Sequence, residues 1–411
     1  MKTDMKRASI GNSAVATTAM LSFCLVANLV ALMTFPAVLP EVSAEWGLSA
    51  SEAGWIGGIY FAGYAIAVLF LVGASDHLDG RWIVAGSSLL GAGASFAFAV
   101  LAGGFWSALA VRLLGGIALA GVHMPGLVLL TQRVGGPKQA RSISIYTASY
   151  ALGSAGSFLV AGVVDAAFGW RATFLAAGIG PLLAIAAVCC LSPAPARQRP
   201  SGPFLEFRSV FANRPFMTYV LAFAGNTWEV FGIRVWFVAC LSWTTHLPGN
   251  DLDLPNIAVI SGLASLAGVP VSVVVAELAT KWDRSGVIIA TCAVSVAVCL
   301  ALAATAGGAT AVVLTLLILL QVTSFADVSA LGVGAVMASD PARRGAALAV
   351  YALAGFTTGF LGPAAVGLSL DWFDGIDSPL GWTAAFLTMS MGSTVAALAI
   401  WTLRRDRSIR L

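Results

Sequence analysis

Charge is what this sequence has least of. Asp, Glu, Lys and Arg together make up 10% of the 411 residues, against roughly 25% in an ordinary soluble protein. Histidine occurs only three times. A chain that is 59% hydrophobic cannot cover its apolar surface with so few polar groups if water surrounds it. A soluble globular fold is therefore excluded, and a lipid-facing one is indicated. Enzymatic signatures are also missing. No H-E-x-x-H, no G-x-S-x-G with triad partners, no P-loop and no glycine-rich nucleotide fingerprint occurs, so the chain is read as neither an enzyme nor an ATP-driven pump. Cys24, Cys189, Cys190, Cys240, Cys292 and Cys299 lie inside or at the ends of apolar runs and form no C-x-x-C pair. They are expected to be buried small hydrophobes, with no disulfide framework, metal site or cofactor. The basic residues are scattered loop charges, which argues against a nucleic-acid partner.

What is present is a succession of long apolar runs. A membrane-crossing helix takes about 20 such residues. Breaks at charge, Pro and Gly predict spans at 16–39, 51–75, 82–103, 106–132, 142–166, 170–191, 215–244, 256–280, 286–307, 310–337, 344–370 and 381–403. The expected fold is thus an all-α membrane protein of about twelve transmembrane helices in two six-helix pseudo-symmetric bundles. With a cytoplasmic N-terminus, 19 of the 22 Lys and Arg fall on the cytoplasmic side, Arg171 falls outside, and Arg112 and Arg234 fall within spans. That asymmetry is the positive-inside pattern. It predicts a multi-pass protein of the cytoplasmic (inner) membrane with both termini cytoplasmic. Trp46, Trp55, Trp106, Trp170, Trp372, Trp382 and Trp401 stand near span ends, where they are expected to anchor at the interface.

A Pro- and charge-rich segment, Ser192 to Pro203 and on to Arg214, divides the spans six and six. The expected organisation is an N-terminal bundle at 1–192, a cytoplasmic linker at 193–214 and a C-terminal bundle at 215–411. The halves echo each other. Tyr146, Gly162, Asp165 and Gly169-Trp170 in the first correspond to Tyr351, Gly367, Asp371 and Gly381-Trp382 in the second. Loop Asp76–Arg81 corresponds to Asp283–Arg284. Parallel six-helix repeats are a transporter plan, with substrate held near the bilayer midplane at the repeat interface.

Three local patterns refine this. Gly73-Ala-Ser-Asp76-His77-Leu78-Asp79-Gly80-Arg81-Trp82 is a variant of G-x-x-x-D-R-x-G-R-R, and it fits D-R-x-D-x-R-R without a gap, with His77 at the first Arg and Trp82 at a later basic position. Arg112-Leu-Leu-Gly-Gly116 reads R-x-x-x-G. A Gly-rich fifth helix, with Gly153, Gly156 and Gly162, is matched by Gly355-Phe-Thr-Thr-Gly359-Phe-Leu-Gly362-Pro363. On these residues the chain resembles the major facilitator superfamily over nearly its whole length, and its loop variant looks like the cyanate-permease and nitrate-porter-like branch. The resemblance implies alternating access and a monomer. It implies a gating role for the first loop and its repeat, at Asp76, Asp79, Arg81, Asp283 and Arg284. It also links Arg112 to proton transfer or to holding an acid or anion.

Ionisable groups inside a membrane are costly and mark candidate sites. Helix 4 carries Arg112 and His123, eleven residues and nearly three turns apart, hence on one face at about 16 Å. Helix 7 carries Asn226, Glu229 and Arg234, and helix 10 carries Asp327. Arg112, Arg234, Glu229, Asn226, Asn28, Tyr146 and Tyr351 are the expected substrate contacts. Asp327, Glu229 and His123 are the expected proton carriers. Two buried arginines suit a small organic or inorganic anion, because guanidinium offers fixed charge and forked donors. The expectation is a proton-coupled secondary transporter for such a solute, in symport. The alternative is proton-coupled efflux of lipophilic drugs.

Overall fold

The computed structural model describes residues 13–74, 78–192, 207–250, 252, 254–340 and 343–409. Every regular element among them is a helix. In order these are α1 (Ala14–Leu29), α2 (Thr34–Trp46), α3 (Ala50–Ala74), α4 (Gly80–Leu101), α5 (Phe105–Arg133), α6 (Pro137–Phe168), α7 (Trp170–Cys189), α8 (Phe207–Ala212), α9 (Arg214–Thr245), α10 (Ile257–Lys281), α11 (Arg284–Ala304), α12 (Thr310–Ala326), α13 (Val328–Ala338), α14 (Arg344–Trp372) and α15 (Pro379–Ile409). Ten helical stretches among the described residues are long and apolar enough to cross a membrane, with α1–α2 and α12–α13 each counted as one. The long helices α3 and α9 complete the expected twelve.

Two of the predicted spans are interrupted. The first run continues to Trp46 but breaks at residues 30–33, so it is two helices rather than the single span 16–39. The break exposes carbonyls that a continuous helix would use, and these find side-chain donors from α5 and α6, described below. The tenth run breaks at Asp327, which has its φ and ψ at −94° and −3°. The fifth span starts earlier than expected. Gly136 takes a positive φ of 63°, which suits glycine, and Pro137 then occupies the first turn, where its missing N–H costs nothing.

The chain forms two compact units: residues 1–35 with 63–202, and residues 36–62 with 203–411. Within the first, α4 packs on α5 and α7, and α1 packs on α6 and α7. Within the second, α11 packs on α12 and α15, and α9 packs on α14 and α15. These are the same four pairings shifted by six spans, which is how the sequence repeat is expressed in packing. Close approach rests on small residues. Gly225 of α9 and Gly392 of α15 face one another so tightly that a methyl group on either would overlap the other's carbonyl oxygen.

Two expectations need correction. Trp170 and Trp382 do not anchor at an interface, since both are buried, at 2% and 0% exposure. Trp170 packs edge-on against Phe98 and Phe174, and Trp382 packs among Trp236, Trp243 and Phe386, so each closes an aromatic cluster inside its own unit. Trp106 and Trp372, by contrast, are largely exposed. The cysteines divide as well: Cys24, Cys240, Cys292 and Cys299 are buried, whereas Cys189 and Cys190, at the end of α7, are exposed.

Candidate functional site: buried charge in each unit

In the second unit, Glu229 of α9 is fully buried, and its carboxylate points toward α11 and α15. Oε1 accepts from the Ser295 hydroxyl at 2.6 Å and from the Cys299 thiol at 3.5 Å, and Oε2 accepts from the Ser393 hydroxyl. Asp327, at the break between α12 and α13, accepts from Asn226 Nδ2 at 2.7 Å and from the Cys292 thiol at 3.4 Å. Asn226 also donates to the Ser324 carbonyl at 2.7 Å, bracing the break from α9. Asn226 and Glu229, three residues apart on α9, thus serve two different acids' surroundings.

Cys292, Ser295 and Cys299 are spaced i, i+3, i+7, which places them along one face of α11. That face supplies donors to both carboxylates. Sequence reasoning treated the two cysteines as apolar filler, whereas they are thiol donors to buried acids. Their spacing with Ser295 was the available signal. A buried carboxylate is tolerated only with such hydrogen bonds, and a group of this kind can bind and release a proton as its surroundings change. On the same α9, Arg234 is buried, and its guanidinium lies over the Phe325 ring at 5.0 Å. Tyr351 of α14 stacks on Phe223 with centroids 4.0 Å apart.

In the first unit, Arg112 of α5 is turned to the break in the first run. Its Nη1 and Nη2 donate to the carbonyls of Ala31 and Leu32 at 3.0 and 3.1 Å, and its charge lies 5.9 Å from the Phe35 ring centre. Ser157 of α6 completes the brace, donating to the Val30 carbonyl at 2.5 Å and accepting from Met33 N–H at 2.9 Å. Asn28 donates to Cys24 O and to Ser88 Oγ, tying α1 to α4. Although His123 shares a helix with Arg112, its neighbours are different. Its Nδ1 is 2.8 Å from the Tyr64 hydroxyl, the Tyr150 ring lies 4.9 Å away, and Tyr146 donates to its backbone carbonyl at 2.8 Å. Tyr64 and Tyr150, which sequence reasoning missed, make this a histidine among three tyrosines.

Of the expected gating residues, Asp76 lies outside the described residues. Asp79 caps α4, accepting from Arg81 N–H at 3.0 Å, and forms an ion pair with the Arg81 side chain at 2.8 Å. Burial alone would raise the Asp79 carboxyl. Its hydrogen bonds and charge contact with Arg81, with Arg133 adding, outweigh this and hold it below the usual carboxylate range. Arg81 also donates to the Leu191 carbonyl at 2.6 Å, joining the start of α4 to the end of α7. The repeat counterpart, Asp283, caps α11 through Ser285 and Gly286 N–H and pairs with Arg404 of α15 at 3.2 Å. Arg284 contacts the Met337 sulfur at 3.0 Å. Both loops thus use an aspartate cap to fasten the third helix of a repeat to its sixth.

Residues 21–341 match the family model described as Major Facilitator Superfamily. The chain belongs to that superfamily. Two curated relatives agree with this facilitator over shorter stretches: the niacin transporter NiaP of Acinetobacter baylyi, 28% identical over 34% of the chain, and the probable transporter SCO4007 of Streptomyces coelicolor, 24% identical over 39%. The chain spans about a third of those relatives' length, 32% and 37% respectively. Among solved structures, a bacterial homolog of the human lysosomal transporter Spinster superposes with a TM-score of 0.82 at 16% identity, covering 96% of this chain and 98% of that one. The nucleoside transporter NupG superposes at 0.74 and 14% identity, covering 94% and 98%. At such identities these structures speak for the fold. The protein is a multi-pass membrane protein of the facilitator fold.

Proposed function

We propose that this facilitator moves a small organic anion across the cytoplasmic membrane by alternating access between its repeats, in symport with protons. The observation that carries the reading is on α9. Within six residues this helix holds a buried guanidinium, Arg234, and a buried carboxylate, Glu229, whose hydrogen-bond donors are two hydroxyls and a thiol. A fixed positive charge suits an anionic substrate. Acids held by neutral donors suit proton carriage, and Glu229 and Asp327 take that role, with His123 as a third candidate. The niacin relative supports the substrate class, since niacin is a small aromatic carboxylate. In the first unit Arg112 holds the helix break and Asn28 ties α1 to α4. Tyr146 bonds to the His123 carbonyl and Tyr351 stacks on Phe223, each within its own unit. Orientation follows the charge distribution, with both termini cytoplasmic and the protein a monomer in the bilayer.

The test is thermal stability of the purified protein against two panels, small anions (niacin, short carboxylates, nitrate, cyanate) and lipophilic cations. A ligand that binds the folded state raises its apparent stability. The expected result is an upward shift with a carboxylate that disappears in Arg234→Gln while the unliganded melting temperature is kept. A shift with cations alone, lost in Glu229→Gln or Asp327→Asn, would replace this reading with drug efflux.

A further inference from the structure

The N-terminus of α3 is closed by two different devices. A helix begins with N–H groups that have no partner in the helix itself. Ser49 and Glu52 form a reciprocal capping box: Ser49 N–H donates to Glu52 Oε2 at 2.9 Å, and Glu52 N–H donates to Ser49 Oγ at 3.2 Å. The two donors between them go elsewhere. Ala50 N–H donates to Asp371 Oδ1 at 3.0 Å and Ser51 N–H donates to Asp371 Oδ2 at 2.8 Å. Asp371 sits in the last turn of α14, 320 residues along the chain. One carboxylate therefore takes both remaining donors and lies at the positive end of the helix dipole, where a negative charge is favoured.

The first half of α3 is fitted to α14 below this contact. A methyl group on Gly367 would overlap the Ala50 carbonyl, one on Gly54 the Pro363 carbonyl, and one on Gly58 the Phe360 carbonyl. Trp55 packs on Phe360 with centroids 5.0 Å apart, and Phe61 packs on Phe231 of α9 at 4.0 Å. Gly57 lies against the fully buried Val235. Residues up to 62 belong to the second unit and those from 63 to the first. One continuous helix is thus held by two units, and only its first half is held by Asp371.

We infer that Asp371 is a releasable latch on the first half of α3, engaged when the end of the protein that the charge distribution places outside is closed. The capping box keeps the helix start intact when the latch opens, because it stays with α3. The two amides that Asp371 leaves then meet water. The glycine contacts make the seam close, and the carboxylate biases it shut. The inference rests on the alternating-access reading and orientation proposed above, but it can be read out without any substrate.

The experiment follows labelling of Val235→Cys, with the exposed Cys189 and Cys190 changed to Ser, by a membrane-impermeant maleimide in sealed vesicles of each orientation. The same protein without Val235→Cys gives the background from the remaining thiols. Opening of the seam uncovers position 235. Asp371→Asn is expected to raise the labelling rate about two- to fivefold, the size expected for one carboxylate at a helix N-terminus. Asp371→Glu is expected to return it toward the parent rate. A second variant, Gly367→Val, which pushes the Ala50 turn away, is expected to raise it as well. For Asp371→Asn a melting temperature matching the parent excludes general loosening as the cause; Gly367→Val is expected to melt lower, through overpacking. Equal rates in parent and Asp371→Asn, including no reaction in either, would overturn the latch. Faster labelling from the opposite face would keep the latch and overturn the orientation. Faster labelling in a protein that binds no anion would keep the latch and overturn the anion reading.

Discussion

At the scale of single residues, the polar groups inside this protein brace broken helices and satisfy one another. Arg112 is bonded to the two carbonyls left by the break at residues 30–33. Arg112→Gln is expected to lower stability by about 1–3 kcal/mol, because one short amide cannot reach both acceptors and a buried carbonyl without a donor is costly. Thermal unfolding of the purified variant measures it, and an unchanged midpoint would show the brace to be dispensable. Asp79 gives a pH prediction. Its carboxyl is held below the usual range, so the folded state gains from its ionised form above the unfolded value. That gain is lost as pH falls through the lower folded value. Melting temperature followed downward from neutral pH should therefore fall less steeply at the acid end in Asp79→Asn than in the parent. Identical acid limbs would exclude the Arg81 contact as the cause. The intramembrane ions could all be found in the sequence, because charge is so rare there. Their partners could not, because Ser295, Ser393, Ser157 and the thiols are ordinary members of apolar runs until packing brings them to an acid or a carbonyl.

At the scale of elements, hydrophobic length sufficed to find the membrane-spanning helices, but placed their starts only approximately: the fifth begins at Pro137 and the ninth at Arg284, ahead of the expected 142 and 286. The interruptions were less visible. Val30-Ala-Leu-Met33 contains no breaker, and its break depends on Arg112 and Ser157, which lie 80 or more residues away. Asp327 was read as a buried charge inside one helix and instead divides two, with Asn226 holding the freed Ser324 carbonyl. The seam between α9 and α15 gives an element-scale prediction. Gly392→Val places a branched side chain against the Gly225 carbonyl and is expected to cost about 1–3 kcal/mol through overpacking. The measurement is again thermal unfolding, with retained stability contradicting the packing described.

At the scale of the molecule, the repeat was legible because Tyr, Gly, Asp and Gly-Trp recur at nearly constant offset, and the same four helix pairings recur with them. Equivalent positions have nonetheless diverged. Tyr146 donates to backbone beside His123, while Tyr351 stacks on Phe223. Among the described residues the buried acids, Glu229 and Asp327, lie in the second unit, and His123 with its tyrosines lies in the first. Under the proposed mechanism, proton carriage is centred on α9, α11 and α12. The measurement that tests this account most directly is uptake of radiolabelled niacin by proteoliposomes under an imposed inward proton gradient. The account predicts accumulation that collapses when the gradient is dissipated, is abolished by Arg234→Gln, and loses its dependence on the gradient in Glu229→Gln or Asp327→Asn. Uptake indifferent to the gradient, or undiminished in Arg234→Gln, would contradict it.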